Sequence, residues 1–295
     1  MNKLEKVFSK TIKRLDAYQQ KHNLPAFIIA VIKRYNDDEA GNQGALITYY
    51  GFLSLFPLLL VLTSILEIIS NGNEQFKNKI ISSAGTYLPI LGERLQNNIQ
   101  SPNKSGVILF FALLFTFYGA RGGADAFRNA MNTIWHIPKD KRTKFPNTII
   151  GSTKIIIVGG IGLLGSALIS TYAAGLGRSI VFQILASLIS TVIITLTLYF
   201  VIEISLGEHV KQKREILIAA LFSAMGILLL QRLGGYIITN QLKNLRDLYG
   251  TFALVLGLLF WIYLQVKVML YAVTSSIVLK YNLWPISLLD DNSKK

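Results

Sequence analysis

The sequence predicts an all-α polytopic membrane protein: a bundle of six transmembrane helices, with amphipathic helices at the N-terminus and on the extracytoplasmic side. Three observations carry this. Apolar residues make up 52% of the 295 positions and charged residues only 16%. The charges cluster between long uncharged runs, and a spanning helix needs roughly 20 apolar residues. The runs are continuously apolar rather than alternating, and they exceed the roughly 10 residues of a tilted barrel strand. One of them, 155–177, carries no charge over 23 positions, which the buried helix of a soluble core seldom achieves.

Residues 1–44 read as a cytoplasmic amphipathic segment. Lys3, Lys6, Lys10, Lys13 and Arg14 look like a basic leader, but the apolar stretch Ala26–Ile32 is too short for a signal peptide and ends in Lys33-Arg34. Phe8, Ile12 and Leu15, then Phe27–Tyr35, fit helices lying on the membrane surface, with a solvated tail as the alternative. Spans follow near 45–67, 105–122, 154–175, 180–204, 214–233 and 250–279. No Pro/Ser-rich linker separates them, so 45–279 is one domain. Loop 70–104 contains Phe76, Ile80, Ile81, Leu88, Ile90 and Leu91, which predicts short helices on the outer face, broken at Pro89. Residues 280–295 form a cytoplasmic tail.

The net charge of +14 is an orientation signal. Lys and Arg number 20 in the segments on one side of the spans and 8 on the other, with Lys154 and Lys267 inside them. The positive-inside rule places both termini in the cytoplasm. Such charge also attracts anionic membrane lipid. No basic stripe interleaved with aromatics marks a nucleic-acid groove, so no nucleic-acid partner is expected. The chain has no cysteine, which excludes disulfides and thiolate metal sites. His22, His136 and His209 fall in three separate charged segments, so no metal site and no cofactor are expected.

Gly160-Ile161-Gly162-Leu163-Leu164-Gly165 matches a dinucleotide fingerprint letter for letter, yet it lies inside an apolar span and no acid follows before Glu203. The better reading is a face of small residues, Gly162, Ser166, Ser170 and Ala174, that admits a neighbouring helix closely. Gly119 and Gly123 repeat that spacing. Pro57 sits in the first span, and Ser54 and Tyr50 precede it on roughly the same side. A proline there bends the helix, either as a structural kink or as part of a gate.

The last span holds a lysine. Tyr263, Lys267, Tyr271 and Thr274 share one helical face, a polar stripe on an otherwise apolar helix. A mid-bilayer lysine costs roughly 3 kcal/mol, so it should face water, the bundle interior or an acid. Three readings stay open: snorkelling to the inner interface, an ion pair with Glu203, or a substrate or proton site. Lys154 is expected to snorkel. Arg121 and Asp125 are spaced to pair along a helix. The second and fifth spans both end in arginine with paired glycine, Arg121-Gly122-Gly123 and Arg232-Leu233-Gly234-Gly235. Matching features in two three-span halves point towards a transporter-type repeat interface, with coincidence as the alternative.

Three motifs carry a family resemblance. Tyr49-Tyr50 with Ser54-Leu55-Phe56-Pro57 resembles the first-span signature of the YihY/BrkB family of bacterial inner-membrane proteins. Gly119 to Trp135, with Arg121, Phe127, Arg128, Asn132 and Trp135, is similar to its second-span exit, and Tyr249-Gly250 with Trp261 and Tyr263 to its last span. The resemblance implies six spans and the bacterial cytoplasmic membrane. Members are described variously as transporters, as factors in serum resistance, and under an old ribonuclease BN label. Where the family commonly carries Gly-Ala-Glu, this chain has Ala272, Val273 and Thr274, so a role resting on that carboxylate is absent here. The expected function is transport or export of an amphiphilic or lipid-like substrate, along a path lined by the stripe, Glu203, Arg121, Ser54 and Pro57. The alternative is a non-transporting scaffold for envelope organisation. An enzyme is not expected, since no paired carboxylates and no nucleophile with a neighbouring base are present.

Overall fold

The computed structural model describes residues 16–70, 106–173, 179–207, 212–249 and 252–286. The outer-face helices expected in loop 70–104, the first turns around Phe8 and Ile12, and the end of the tail lie outside the described residues. Among those described, every regular element is a helix. They are α1 (Asn23–Asp37), α2 (Ala40–Ser70), α3 (Gly106–Ile134), α4 (Asn147–Ala173), α5 (Ile180–Leu206), α6 (Lys213–Tyr249) and α7 (Phe252–Tyr281), with a 3-10 turn at Lys139–Lys141.

Four stretches, Asn147–Ser166, Ile180–Leu206, Lys213–Gln231 and Val255–Tyr281, are long and apolar enough to cross a bilayer. α2 and α3 are of comparable length, 31 and 29 residues. The outer faces of α3, α4 and α5 are greasy: Phe110, Phe111, Phe115, Ile161, Leu188 and Val192 are all exposed. In water such a surface drives aggregation, whereas hydrocarbon solvates it.

Two helices outrun the charge-based boundaries. α3 continues past Arg121 to Ile134, and α6 continues past Arg232 to Tyr249, through the segment expected to be a loop. A charge marks where an apolar run ends, not where a helix must end. In α3 the extension is rich in alanine, and Arg121 pairs along the helix with Asp125 at 3.7 Å, as its spacing predicts.

The helix ends cluster at one end of the bundle. α3 closes with His136 in the left-handed region (φ 52°), the His136 amide donating to the Thr133 carbonyl at 3.0 Å and the Ile137 amide to the Asn132 carbonyl at 2.8 Å. These two bonds satisfy carbonyls that a helix C-terminus leaves open, and Pro138 follows to prevent continuation. Glu39 after α1 and Asn282 after α7 adopt the same conformation, and Gly207 (φ 66°) ends α5.

Neighbours in sequence pack as neighbours in space: α2 on α3, α4 on α5, α5 on α6, α6 on α7, with α7 closing back on α2 and on α1. A buried core lies at the end where the chain reversals gather. It joins Phe127, Met131 and Ile134 of α3, Ile202 and Leu206 of α5, Ile216 of α6, and Leu270, Val273 and Ile277 of α7. N- and C-terminal segments meet at that same end: Phe27 packs edge-on against Trp284 at 5.4 Å, and the Gln19 amide donates to the Ile286 carbonyl.

The part of the small-residue face of α4 that is described, Gly162 and Ser166, is a helix contact, as its spacing predicts; the Ser170 side chain and Ala174 lie outside the described residues. A Cβ on Gly162 would collide with Thr197 of α5, while the Ser190 hydroxyl donates to the Ser166 carbonyl at 3.4 Å. On α3 the close approach uses Gly119 and Gly122 rather than Gly123. A Cβ on Gly119 would lie 2.7 Å from the Ser54 Cβ, one on Gly122 would enter the Tyr50 ring, and one on Gly123 would make ordinary contact at 3.7 Å. Gly160 and Gly165 face open space, so the fingerprint glycines play no common part.

This asymmetry is testable. Overpacking a tight helix contact costs roughly 1–3 kcal/mol, so Gly162→Leu should lower the melting temperature of the purified chain in detergent. Gly160→Leu should leave it unchanged or raise it slightly through helix propensity.

Candidate functional site

The polar stripe of α7 faces α1 and the start of α2. Tyr271 stacks on Tyr35 with ring centroids 4.0 Å apart and planes 16° from parallel. The Tyr263 ring passes close to Gly44, where an added Cβ would lie 3.7 Å from it. Burial, with the nearby Tyr263 and Tyr271 hydroxyls, pushes the Tyr35 hydroxyl up to a pKa of about 12, and that buried oxygen has no hydrogen-bond partner. Lys267 is half-buried, its Nζ 5.7 Å from the Tyr263 ring centroid. Thr274 is fully buried and donates to the Leu270 carbonyl at 2.9 Å within its own helix.

Glu203 and Lys267 do not pair. Lys267 stands 14 residues before the end of α7, about 21 Å along the axis, and Glu203 three residues before the end of α5, about 5 Å. Leu206 at the end of α5 shares a core with Ile277 near the end of α7, which puts the two ends at a similar level, and the Lys280 ammonium bonds the Gln212 side chain just before α6. The expected span, 250–279, already matched the helix to within two residues; Lys267 stands at its middle rather than in its inner part, whereas Glu203 stands in the last turn of α5.

Glu203 instead lines an open basin of about 1130 Å³ where α3, α4, α5 and α6 meet at that end. Around it stand six cations: Arg128, Lys141, Arg142, Lys144, Lys154 and Lys213. Arg128 is the fixed one. It is buried, donates to the Thr148 carbonyl at 2.8 Å and to the Ser152 hydroxyl at 3.4 Å, and lies 4.0 Å from Asp125. Gly151 makes room for it: a Cβ there would sit 3.2 Å from the guanidinium carbon. Burial pulls its pKa below the usual value and Asp125 opposes this, yet a guanidinium stays protonated. Arg142 is set by bonds to the Ile137 carbonyl at 3.0 Å and the Thr133 hydroxyl at 3.5 Å.

Of the residues expected to line a path, only Glu203 reaches this basin. Ser54 bonds the Gly51 carbonyl at 2.9 Å and packs on Gly119. Arg121 is engaged with Asp125. α2 runs helical through Pro57, whose side chain lies outside those described. Arg128 entered the sequence reading only through a motif, and the run Lys139–Lys144 only as orientation charge. The signal that was there is the density of that run beside Lys154 and Lys213. A second polar cluster ties α1 to the exit of α3: Asp38 is 3.1 Å from Arg34 and 2.9 Å from His136, with Arg34 also touching His136. Burial raises the Asp38 pKa against the pull of both partners. Among the described residues no three His, Asp or Glu side chains converge as metal ligands.

An all-helical chain with several spans' worth of apolar helix and one basic aqueous end is a polytopic membrane protein. Its family follows from comparison: the family profile described as virulence factor BrkB matches residues 31–286, and the chain belongs to that family. It is 26% identical over 267 residues to a UPF0761 membrane protein of Acinetobacter baylyi, covering 86% of this chain and 62% of that one. The chain thus spans less than two thirds of that relative's length. No solved structure matches it.

The unpartnered Tyr35 hydroxyl makes a prediction. Tyr35→Phe should hold or gain stability at pH 7, since an orphaned buried hydroxyl costs roughly 1–3 kcal/mol. Tyr35→Ala should lose about 3 kcal/mol with the stacked ring. The folded pKa lies above the ordinary tyrosine value of 10.0. Wild-type stability is therefore intact below pH 10 and is lost relative to Tyr35→Phe as pH rises through about 12. Melting curves across that window check both parts.

Proposed function

We propose that this chain is a six-span protein of the bacterial cytoplasmic membrane, with both termini in the cytoplasm, and that it moves an amphiphilic, lipid-like molecule between leaflets or across the membrane. α2 to α7 supply the six spans. The basic end faces the cytoplasm, where the anionic leaflet attracts it.

One observation carries the transport reading. The basin opens directly onto a lipid-facing stripe of α4, where Ile150, Lys154, Ile157, Ile161, Leu164 and Leu168 follow one another on one exposed face. Ile150 and Lys154 belong to the basin wall, and the rest climb away from it through the apolar zone. A charged hollow joined to a greasy track suits a molecule with a polar head and an apolar tail. The chemistry is displacement rather than bond-making, and no nucleotide motif interrupts the sequence. Energy for uphill movement then comes from a gradient or from a partner protein. In this reading Lys267 is a helix-packing cation held by Tyr263, and the path runs past Glu203 instead.

Reconstitution tests this. Liposomes holding the purified chain should translocate fluorescent lipid analogues faster than protein-free liposomes. Lys154→Leu should slow that rate about tenfold or more, the equivalent of roughly 1.4 kcal/mol in the barrier, while Lys267→Met leaves it within about twofold. No protein-dependent movement of any analogue would favour the scaffold reading. A fluorescent-protein fusion at the C-terminus should glow in intact cells, whereas an alkaline phosphatase fusion there should stay inactive. The opposite pattern removes the assigned orientation.

A further inference from the structure

We infer that the basin is a binding site for a phosphate-type anion, the phosphate or diphosphate of an amphiphile's head group or the same group free in solution. This rests on reading the basin as the polar end of the transport path, and it names what that end recognises.

The first argument is charge without counter-charge. Among the described residues, six cations line the basin with one carboxylate, Glu203, and only Arg128 of the six has a further acid within ion-pair distance, Asp125 at 4.0 Å. Among the described residues Lys141, Lys144, Lys154 and Lys213 make no ion pair within the 4.0 Å that defines Arg34–Asp38 and its like. Like charges gathered around one hollow repel, so the arrangement opposes its own folding unless an anion completes it. A scattered basic surface that only orients the chain has no need to be concave.

The second argument is preorganisation. Arg128 is fixed from behind by Thr148 and Ser152, and its buried Nε has no hydrogen-bond partner. Arg142 is held from behind by Ile137 and Thr133. Two guanidinium groups whose stems are already ordered lose little freedom on meeting an oxyanion, and their planar forks match phosphate oxygens. The basin wall also includes the first residues of two long helices, Asn147 of α4 and Lys213 of α6. The helix dipoles add positive potential at both N-termini.

The third is selectivity. A single carboxylate ligand would satisfy one guanidinium and leave most of the cations unpaired. A phosphomonoester or diphosphate brings two or more negative charges and several acceptor oxygens to one place. At about 1130 Å³ the basin holds considerably more than one phosphate, so a substituted head group fits with the tail leaving along the α4 stripe.

The test uses the full chain in nanodiscs of neutral phosphatidylcholine, titrated calorimetrically with inorganic pyrophosphate. In a second arm, phosphatidic acid is incorporated into the nanodisc and the thermal shift is read. The triple variant K141Q/K144Q/K154Q removes exposed charge without touching the Arg128 anchor. It should weaken binding about tenfold or more and flatten its salt dependence, and E203Q should tighten it. K21Q/K139Q, which removes exposed charge outside the basin, should change neither. Binding in the pyrophosphate arm alone assigns the site to a soluble phosphate. Binding in the phosphatidic acid arm alone assigns it to a lipid head group. Loss in neither variant set, equal loss in both, or no binding in either arm overturns the inference. Binding that persists where liposome translocation fails overturns the transport reading and leaves the anion site standing.

Discussion

Hydrocarbon offers nothing to hydrogen-bond with, and most of this structure follows from that. Every backbone amide and carbonyl inside the membrane must find its partner within the chain, so the described spans are uninterrupted helices. Side-chain hydroxyls obey the same demand. Thr191, Thr195, Thr197 and Ser205 of α5 and Thr274 and Ser275 of α7 each return their proton to a carbonyl one turn back. A hydroxyl bonded in this way no longer advertises a path, which is why Thr274 belongs to packing. Association between helices then depends on close approach rather than on the hydrophobic effect. Gly162 against Thr197, Gly122 against Tyr50 and Gly226 against Val268 are where backbones come near enough for dispersion to act.

The aqueous end follows different rules. There the helices have to stop, and each stop exposes carbonyls that need donors. Glu39, His136 and Asn282 have positive φ just past their helix ends, where the chain turns away, and Gly207 ends α5 at φ 66°, ψ −160°, a conformation open to glycine. Non-glycine residues tolerate positive φ at a cost of roughly 1–2 kcal/mol, so something must hold them. For His136 it is the Asp38 carboxylate and Arg34, and for Asn282 it is the clasp of Phe27 and Trp284 a little further along. The same end-capping that terminates α3 sends Pro138–Lys144 across the mouth of the bundle. The basin is therefore a consequence of how α3 ends.

Helix class, the order of apolar runs, the Arg121–Asp125 pair and the small-residue face of α4 were all legible in the sequence, because each depends on spacing within one helix. What was not legible depends on two or more. Gly122 rather than Gly123 meets α2, since one step of 100° on α3 decides which glycine faces the Tyr50 ring. The partner expected for Lys267 was set by depth, but Lys267 stands at the middle of α7 and Glu203 in the last turn of α5, and only the packing of the two helices brings that difference out. The six basin cations are spread from Arg128 to Lys213. Along the chain they look like ordinary positive-inside charge, and only the meeting of four helices turns them into one surface.

That difference also separates the two intramembrane cations. Lys267 is half-buried on a helix packed by α1, α2, α3 and α6, with an aromatic ring for company. Cation–π contact of this kind offsets part of the cost of leaving water, roughly 0.5–2 kcal/mol, without requiring any ligand. Lys154 is exposed, one turn from Ile150 and Ile157, and lines the basin where the greasy face of α4 begins. On the proposed path, a lysine so placed would anchor the helix and be the first charge an incoming head group meets. The cation that looked anomalous in the sequence is thus accommodated by packing, and the one that looked routine stands where polar and apolar surfaces join.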